Sequence, residues 1–441
     1  MPRGFYLVMA AQFFSSLADN ALLIAAIALI QQLHGPSWMA PMAKWSFALS
    51  YVVLAAFVGA FADSLPKGRV MFFTNTVKVA GCLMMFWYGS FGLPTHYQVY
   101  LIILAYAVVG VGAAAYSPAK YGIVTEMLPP SLLVKGNSWI EGLTVISILL
   151  GVMMGGALIT PTVATWVLNL KLVPNLHTPA EAAILVIACV YVIAAIFNLL
   201  IPKTGVVYPP QHTHPVKLVR EFGRYIGILW RDKLGQISLA VTTLFWGAGA
   251  TLQMVVIEWG GQHLGLTLDE SSILMGVASV GTIGGAILAG RVPLKKALMT
   301  LPMGVVMGLV VLLMPMVENM IGVYILLIMI GALGGFFVVP MNALLQHRGH
   351  VLLSAGHSIA VQNFNEQLNI LFMVAAYSLM LWFGIRINVI IVMFGLLVAT
   401  LMIAIIRWNV ANQRRNPQIL DMIGHNGYGT ALTKTKAAAE T

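Results

Sequence analysis

Long apolar stretches, each closed off by a short polar segment or one bearing glycine and proline, repeat along almost the entire chain. Each is long enough as a helix to cross a hydrocarbon layer of ~30 Å. In such a layer only a helix satisfies its own backbone without closing into a barrel. The pattern therefore predicts an all-α membrane protein with twelve transmembrane helices, at residues 5–33, 42–62, 70–92, 98–119, 138–160, 181–201, 237–262, 272–290, 297–316, 321–345, 355–383 and 386–408.

The longest central break, residues 202–236, is rich in proline, histidine and basic side chains, as a connection outside the membrane is. It divides the chain into an N-terminal six-helix bundle (1–201), a cytoplasmic linker (202–236) and a C-terminal six-helix bundle (237–408), leaving 409–441 as a polar, mobile cytoplasmic tail. A weak internal repeat supports the division. "GAAAYSPAKYGIVTE", beginning at Gly112, resembles "GFFVVPMNALLQHR", beginning at Gly335, and sets Pro118 against Pro340 and Lys120 against Asn342. Two pseudo-symmetric halves with a site between them are a transporter architecture. The small-residue runs "GVGAAA", "GVMMGGA" and "GTIGGAILAG" suit close helix approach.

Composition agrees: 59% of the 441 residues are hydrophobic and only 9% are charged, with a mean hydropathy of +0.89. A formal net charge of +10 raises nucleic-acid binding, but the placement of the charges removes it. With both termini in the cytoplasm, 20 of the 24 Lys and Arg fall in the tails, cytoplasmic loops or cytoplasmic helix ends; Lys44, Lys171 and Arg386 face the other side, and Lys78 lies within the third span. This asymmetry is the positive-inside pattern, and it points to membrane lipids rather than nucleic acid as partners. Cys82 and Cys189 sit inside spans as free thiols. The ten histidines lack ligand spacing, so neither a metal nor another cofactor is expected.

Against this background the polar residues inside spans carry the candidate chemistry. Asp19 falls about fourteen residues into the first span, at a depth near ~20 Å at 1.5 Å per residue. An ionised carboxylate there costs at least ~2.5–3.5 kcal/mol, so it requires a polar cavity, a partner or a proton. Asn20 adds donors and acceptors beside it, and Gln12 lies two turns below. In the eleventh span Gln362, Glu366 and Asn369 share one helical face and either line a cavity or lock helices together. Lys120 follows Pro118 at the expected end of the fourth span. Snorkelling to the interface and contact with a gate or a substrate phosphate are both open to it. Glu126 and Glu141 offer it counter-charge, and Glu258 is expected at the outer interface.

The loop "GAFADSLPKGR", residues 59–69, resembles the acidic-then-basic loop of the major facilitator superfamily, although its glycine follows the aspartate by five positions where the general pattern has three. By that resemblance Asp63, Lys67 and Arg69 brace the halves as a conformational gate, to which Glu126 and Glu141 are added. The strings "QFFSSLADNALL", "SLPKGRVM", "GVGAAAYSPAKYGI", "TLFWGAGATL", "GGFFVVPMNALLQHRG" and "AGHSIAVQNFNE" together resemble the lysophospholipid transporter family of Gram-negative inner membranes, a branch of that superfamily. The likeness runs through residues 8–408 and spares the tail.

The resemblance implies a flippase that moves lysophosphatidylethanolamine and related lysolipids from the outer to the inner leaflet, where an acyltransferase/acyl-carrier-protein synthetase restores the second chain. It also implies a monomer in the inner membrane, and roles in substrate handling for Asp19, Asn20 and Lys120. Gln253 stands where the family suggests an arginine, so a strict acid-to-arginine pairing across the halves is not available. The expected headgroup cavity is formed by Asp19, Asn20, Gln253, Gln362 and Glu366, with Lys120 meeting the phosphate when the cavity faces inward. A proton-coupled multidrug or small-solute exporter of the same superfamily fits the same spans. An enzyme does not: there is no nucleophile elbow and no phosphate-cradling loop.

Overall fold

The computed structural model describes residues 2–128, 130–169, 178–205, 214–353 and 355–423. Among them the chain forms fourteen α-helices joined by short connections and 3-10 turns. They are α1 (Arg3–Gln32), α2 (Met39–Ser64), α3 (Lys67–Phe86), α4 (Thr95–Met127), α5 (Pro130–Ile159), α6 (Pro161–Asn169), α7 (Pro179–Leu199), α8 (Pro215–Arg231), α9 (Lys233–Gln262), α10 (Leu268–Ala289), α11 (Leu301–Val311), α12 (Met320–Leu352), α13 (Ala355–Trp382) and α14 (Ile387–Arg415). Local chemistry sets several starts. Thr178 and Glu181 form a reciprocal capping box on α7, and Asp232 and Asn319 cap α9 and α12 through the amides of Gly235 and Gly322. Proline occupies the first position of α5, α6, α7 and α8, where its missing N–H costs nothing.

Ten of the described spans are apolar and long enough to cross a membrane, counting α11 with its flanking 3-10 turns as one, Leu294–Met316. The expected spans 70–92 and 355–383 correspond to α3 and α13, which are absent from those ten. They are more polar because α3 carries Lys67, Arg69 and Lys78, and α13 carries the Gln362–Glu366–Asn369 stripe. Two helices lie outside the expected spans: the nine-residue α6, and α8 within the expected linker.

The helices pack as the two six-helix bundles of the fold class, held across the middle by α2 against α13 and by α5 against α10. Glycine makes the second contact possible, because a Cβ on Gly156 would lie 2.5 Å from Cβ of Ser272. A tighter seam joins α10 to α12, where Gly281 and Gly285 face the carbonyls of Ile328 and Ala332, and Gly331 and Gly335 face those of Ala278 and Thr282. Small residues let these backbones approach, which replaces the hydrophobic drive that helices lack in lipid.

α4 and α12, each 33 residues long, both carry an internal proline, Pro118 and Pro340. α4 does not end near residue 119 but continues to Met127, so Lys120 lies within the helix rather than at its exit. The chain after residue 408 also differs from the expected tail. α14 runs to Arg415, and Ile419 and Ile423 are buried at 2% and 0% exposure against the main core.

Candidate functional site

Asp19 is buried in α1, and its carboxylate is fully engaged within the first bundle. Lys78 of α3 donates to its Oδ2 at 2.7 Å, and the Tyr191 hydroxyl of α7 donates to its Oδ1 at 2.7 Å. Tyr106 of α4 donates to its main-chain oxygen at 2.8 Å. The Lys78 ammonium also donates to Ser15 at 2.8 Å, and Ser15 donates to Asn75 at 2.7 Å. The rings of Tyr116 and Tyr191 stand 5.2 and 5.9 Å from the ammonium, within cation–π range. Side-chain exposure of the pair is only 2% for Lys78 and 11% for Asp19. Four helices thus converge on one compensated charge pair, which is how an intramembrane carboxylate becomes tolerable.

By its position in the sequence Lys78 lies inside a span, where nothing local names its partner. The usable signal was charge balance: one mid-depth cation and one mid-depth anion in the same half require each other.

Asn20, one residue on and about 100° around the helix, looks elsewhere. Its amide donates to the Ser16 carbonyl at 2.9 Å, and its Cβ lies against Gly151 of α5. Gln12 bonds Thr144 of α5 at 2.8 Å. The polar side chains of α1 therefore divide between α3 and α7 on one side and α5 on the other.

In the second bundle α13 presents three stripes. Gln362 donates to Asn342 of α12 at 2.9 Å and to Glu366 at 2.8 Å, and Asn369 donates to the Thr243 carbonyl of α9 at 2.9 Å. Val361, Phe364 and Asn365 face α8, where Phe222 and Phe364 meet edge to face and the Trp230 indole donates to Asn365 at 3.0 Å. Ile359 and Asn363 reach the first bundle: Ile359 packs on the cluster that includes Phe5, Tyr116 and Val124, and Asn363 donates to Ser117 at 3.2 Å. At the other end of α13, Ser378 donates to the Trp38 carbonyl in the α1–α2 connection at 2.6 Å. The same helix therefore ties the halves together near both ends.

Lys120 is buried, with its ammonium 4.4 Å from the centre of the Tyr121 ring. This burial sets snorkelling aside. Its repeat partner Asn342, on α12, is the residue that Gln362 holds, so the two repeat positions meet different chemistry. Gln253 is buried in α9, and its Nε2 has no partner among the described residues.

Of the expected gate residues, Lys67 is buried, donates to the Ala62 carbonyl at 3.3 Å and packs over Gly122 of α4. Arg69 is exposed. Glu126 accepts from the Thr204 hydroxyl. The side chains of Asp63 and Glu141 lie outside the described residues.

A second charge pair, missed in the sequence, joins Arg348 near the end of α12 to Asp232 at the start of α9. Its two bonds, at 3.0 and 2.6 Å, make it bidentate. Among the described residues no group of three or more His, Cys, Asp or Glu is arranged to hold a metal.

The profile of the Major Facilitator Superfamily matches residues 8–368. The lysophospholipid transporter LplT of Pectobacterium carotovorum is 41% identical over 389 residues, covering 88% of this chain and 89% of the relative. Its counterpart in Yersinia enterocolitica is 42% identical over 387 residues, covering 87% and 89%. A bacterial homologue of the human lysosomal transporter Spinster, solved inward-facing and unoccupied, superposes with a TM-score of 0.63 at 14% identity, covering 93% of this chain and 98% of that one. At that identity the likeness concerns the fold alone.

Proposed function

Because the chain belongs to the major facilitator superfamily and, within it, to the lysophospholipid transporter family, we propose that it moves single-chain phospholipids between the two leaflets of a membrane by alternating access. The observation that carries the substrate class is identity above two-fifths, along nearly nine-tenths of the chain, to transporters named for lysophospholipids. In our reading the cargo is lysophosphatidylethanolamine and related lysolipids, and transport runs from the outer to the inner leaflet of a Gram-negative inner membrane. Both termini are cytoplasmic, the protein acts as a monomer, and an acyltransferase/acyl-carrier-protein synthetase consumes the product. Residues 1–201 and 237–408 act as the moving halves around the 202–236 linker, with 409–441, whose first residues extend α14, on the cytoplasmic side.

The physical requirement is clear. The head of a lysolipid carries charges that lose water in hydrocarbon, whereas its tail does not. The path must therefore be polar for the head and apolar for the tail. Asn20, Lys120, Gln253, Gln362 and Glu366 supply the polar wall in this proposal. Lys120 meets the phosphate, and Glu366, backed by Gln362, meets the ethanolamine ammonium. Asp19 contributes by its bond to Lys78, which fixes the rotation of α1 and so holds Asn20 toward α5. α13 supplies the hinge contact, because opening either side requires its bonds to Ser117 or to the Trp38 carbonyl to part. Lys67 over Gly122, with Asp63, Arg69, Glu126 and Glu141, forms the gate on the face that carries the N-terminus.

The test loads lysophosphatidylethanolamine into the outer leaflet of spheroplasts with or without the protein, supplies acyltransferase, and follows diacyl product with and without an uncoupler. Product that depends on the protein and survives uncoupling is the expected result. Absence of protein-dependent product overturns the reading in favour of the exporter, and product that vanishes with the proton gradient makes the lysolipid transport proton-coupled.

A further inference from the structure

The proposed transport path makes no use of α8, yet this helix is the most strongly two-sided among the described residues. Stepping about 100° per residue, Lys217, Arg220, Arg224 and Arg231 fall within an arc of about 60°. All four are exposed. The opposite face is fastened to the second bundle: Leu229 is fully buried with Leu239, Leu345 and Val361, and Phe222 meets Phe364. Tyr225 lies over His357 at 4.3 Å. Between the docked face and the basic stripe, Val216 and Val219 are exposed at 61% and 51%. Going round the helix, the surroundings pass from protein, through a free apolar flank, to a row of cations.

The level of α8 relative to a bilayer follows from its last turn. Trp230 stacks on Trp408 of α14, with ring centres 6.4 Å apart and planes 7° from parallel. Trp408 follows Arg407, where the continuous apolar run of α14 stops. Tryptophan beside arginine at the end of a span marks the headgroup level, so α8 leaves the protein at that level. Its free valines suit the upper acyl region, and its cations are within reach of phosphates. A single acid, Glu221, opposes four basic side chains on the helix, so the charge complementarity is with an anionic surface. α8 also packs against α2 of the first bundle as well as α9, α12 and α13 of the second, so what holds it is felt by both.

We propose that α8 is a docking surface for anionic phospholipid headgroups of the surrounding leaflet, with Lys217, Arg220, Arg224 and Arg231 binding their phosphates. This site is distinct from the transported lipid's path and stands whichever substrate the path carries.

The full-length protein, reconstituted in phosphatidylcholine membranes, is probed with spin-labelled phosphatidylglycerol and, separately, spin-labelled phosphatidylcholine, and the immobilised fraction of each is measured. The wild type is expected to favour phosphatidylglycerol by about threefold or more at low salt, with the preference falling as salt rises. Lys217→Gln/Arg220→Gln/Arg224→Gln loses most of that preference, whereas Arg220→Lys/Arg224→Lys keeps it. Thermal unfolding stays within error of the wild type in both variants, because none of the changed side chains is buried. Equal association of the two lipids with the wild type overturns the proposal and leaves the basic stripe to an acidic soluble partner. So does an unchanged preference in the triple glutamine variant.

Discussion

The two halves of this protein treat their intramembrane carboxylates in opposite ways. Asp19 is neutralised inside its own bundle by a lysine, a tyrosine and a ring of aromatic faces. Glu366 is held by the amide of Gln362, on the helix that also spans the boundary between halves. The first arrangement is a closed circuit, in which both charges have partners on neighbouring helices. The second accepts from Gln362 and lies three residues along α13 from Asn363, which bonds Ser117 of the first bundle. The first carboxylate holds four helices in register, and the second sits on the helix that joins the two halves.

The sharpest way to break this contrast is to cut the first circuit. Lys78→Ala is expected to destabilise the protein by about 3–5 kcal/mol by leaving a buried, uncompensated carboxylate, read as a large fall in the unfolding temperature of detergent-solubilised protein. Asp19→Ala should behave similarly. The double variant Asp19→Asn/Lys78→Met should recover a substantial part of the loss. If the double variant is instead as unstable as the worse single one, the pair is not the unit that stabilises the bundle.

A smaller loss is expected at the second ion pair. Arg348→Ala removes two charge-assisted bonds but leaves Asp232 accepting from the Gly235 amide, so about 1.5–3 kcal/mol should be lost. A fall as large as that of Lys78→Ala would erase the distinction between a fully enclosed pair and a partly compensated one.

Glu366→Gln sharpens the comparison from the other side. The substituted amide still accepts from Gln362, so the loss of stability should be small beside that of Lys78→Ala. Lysolipid transport should nevertheless fall about tenfold or more, the size of one charge-assisted contact of ~1.5 kcal/mol. Transport at the wild-type rate would assign Glu366 to helix locking alone. Least of all, Asn363→Ala removes one neutral bond of 3.2 Å to Ser117 and should cost about 0.5–1 kcal/mol in the closed arrangement. Cysteine cross-linking between α4 and α13 would record it as a modest shift toward the open side.

Much of this was legible from the chain alone, for reasons that differ by residue. The spans could be read because apolar length is a local property. The repeat could be read because Pro118 and Pro340 each fall in the second half of a 33-residue helix. The polar stripe of α13 could be read because its spacing is that of one helix face. α8 escaped because five charges in seventeen residues, next to proline and histidine, look like a loop, and its apolar face has meaning only against α9, α12 and α13.

Sequence by itself determined that this is a helical membrane protein of repeated halves, because each span must satisfy its own backbone and bury its own side chains in lipid. It also determined which residues are too polar for that setting and so need an explanation. Only the tertiary structure decided what each one meets. Lys78 lies fifty-nine positions from Asp19 and Tyr191 a further one hundred and thirteen on, and their meeting depends on how α1, α3 and α7 are rotated about their axes. That rotation follows from the packing of all their neighbours at once, a property that no single stretch of the chain contains.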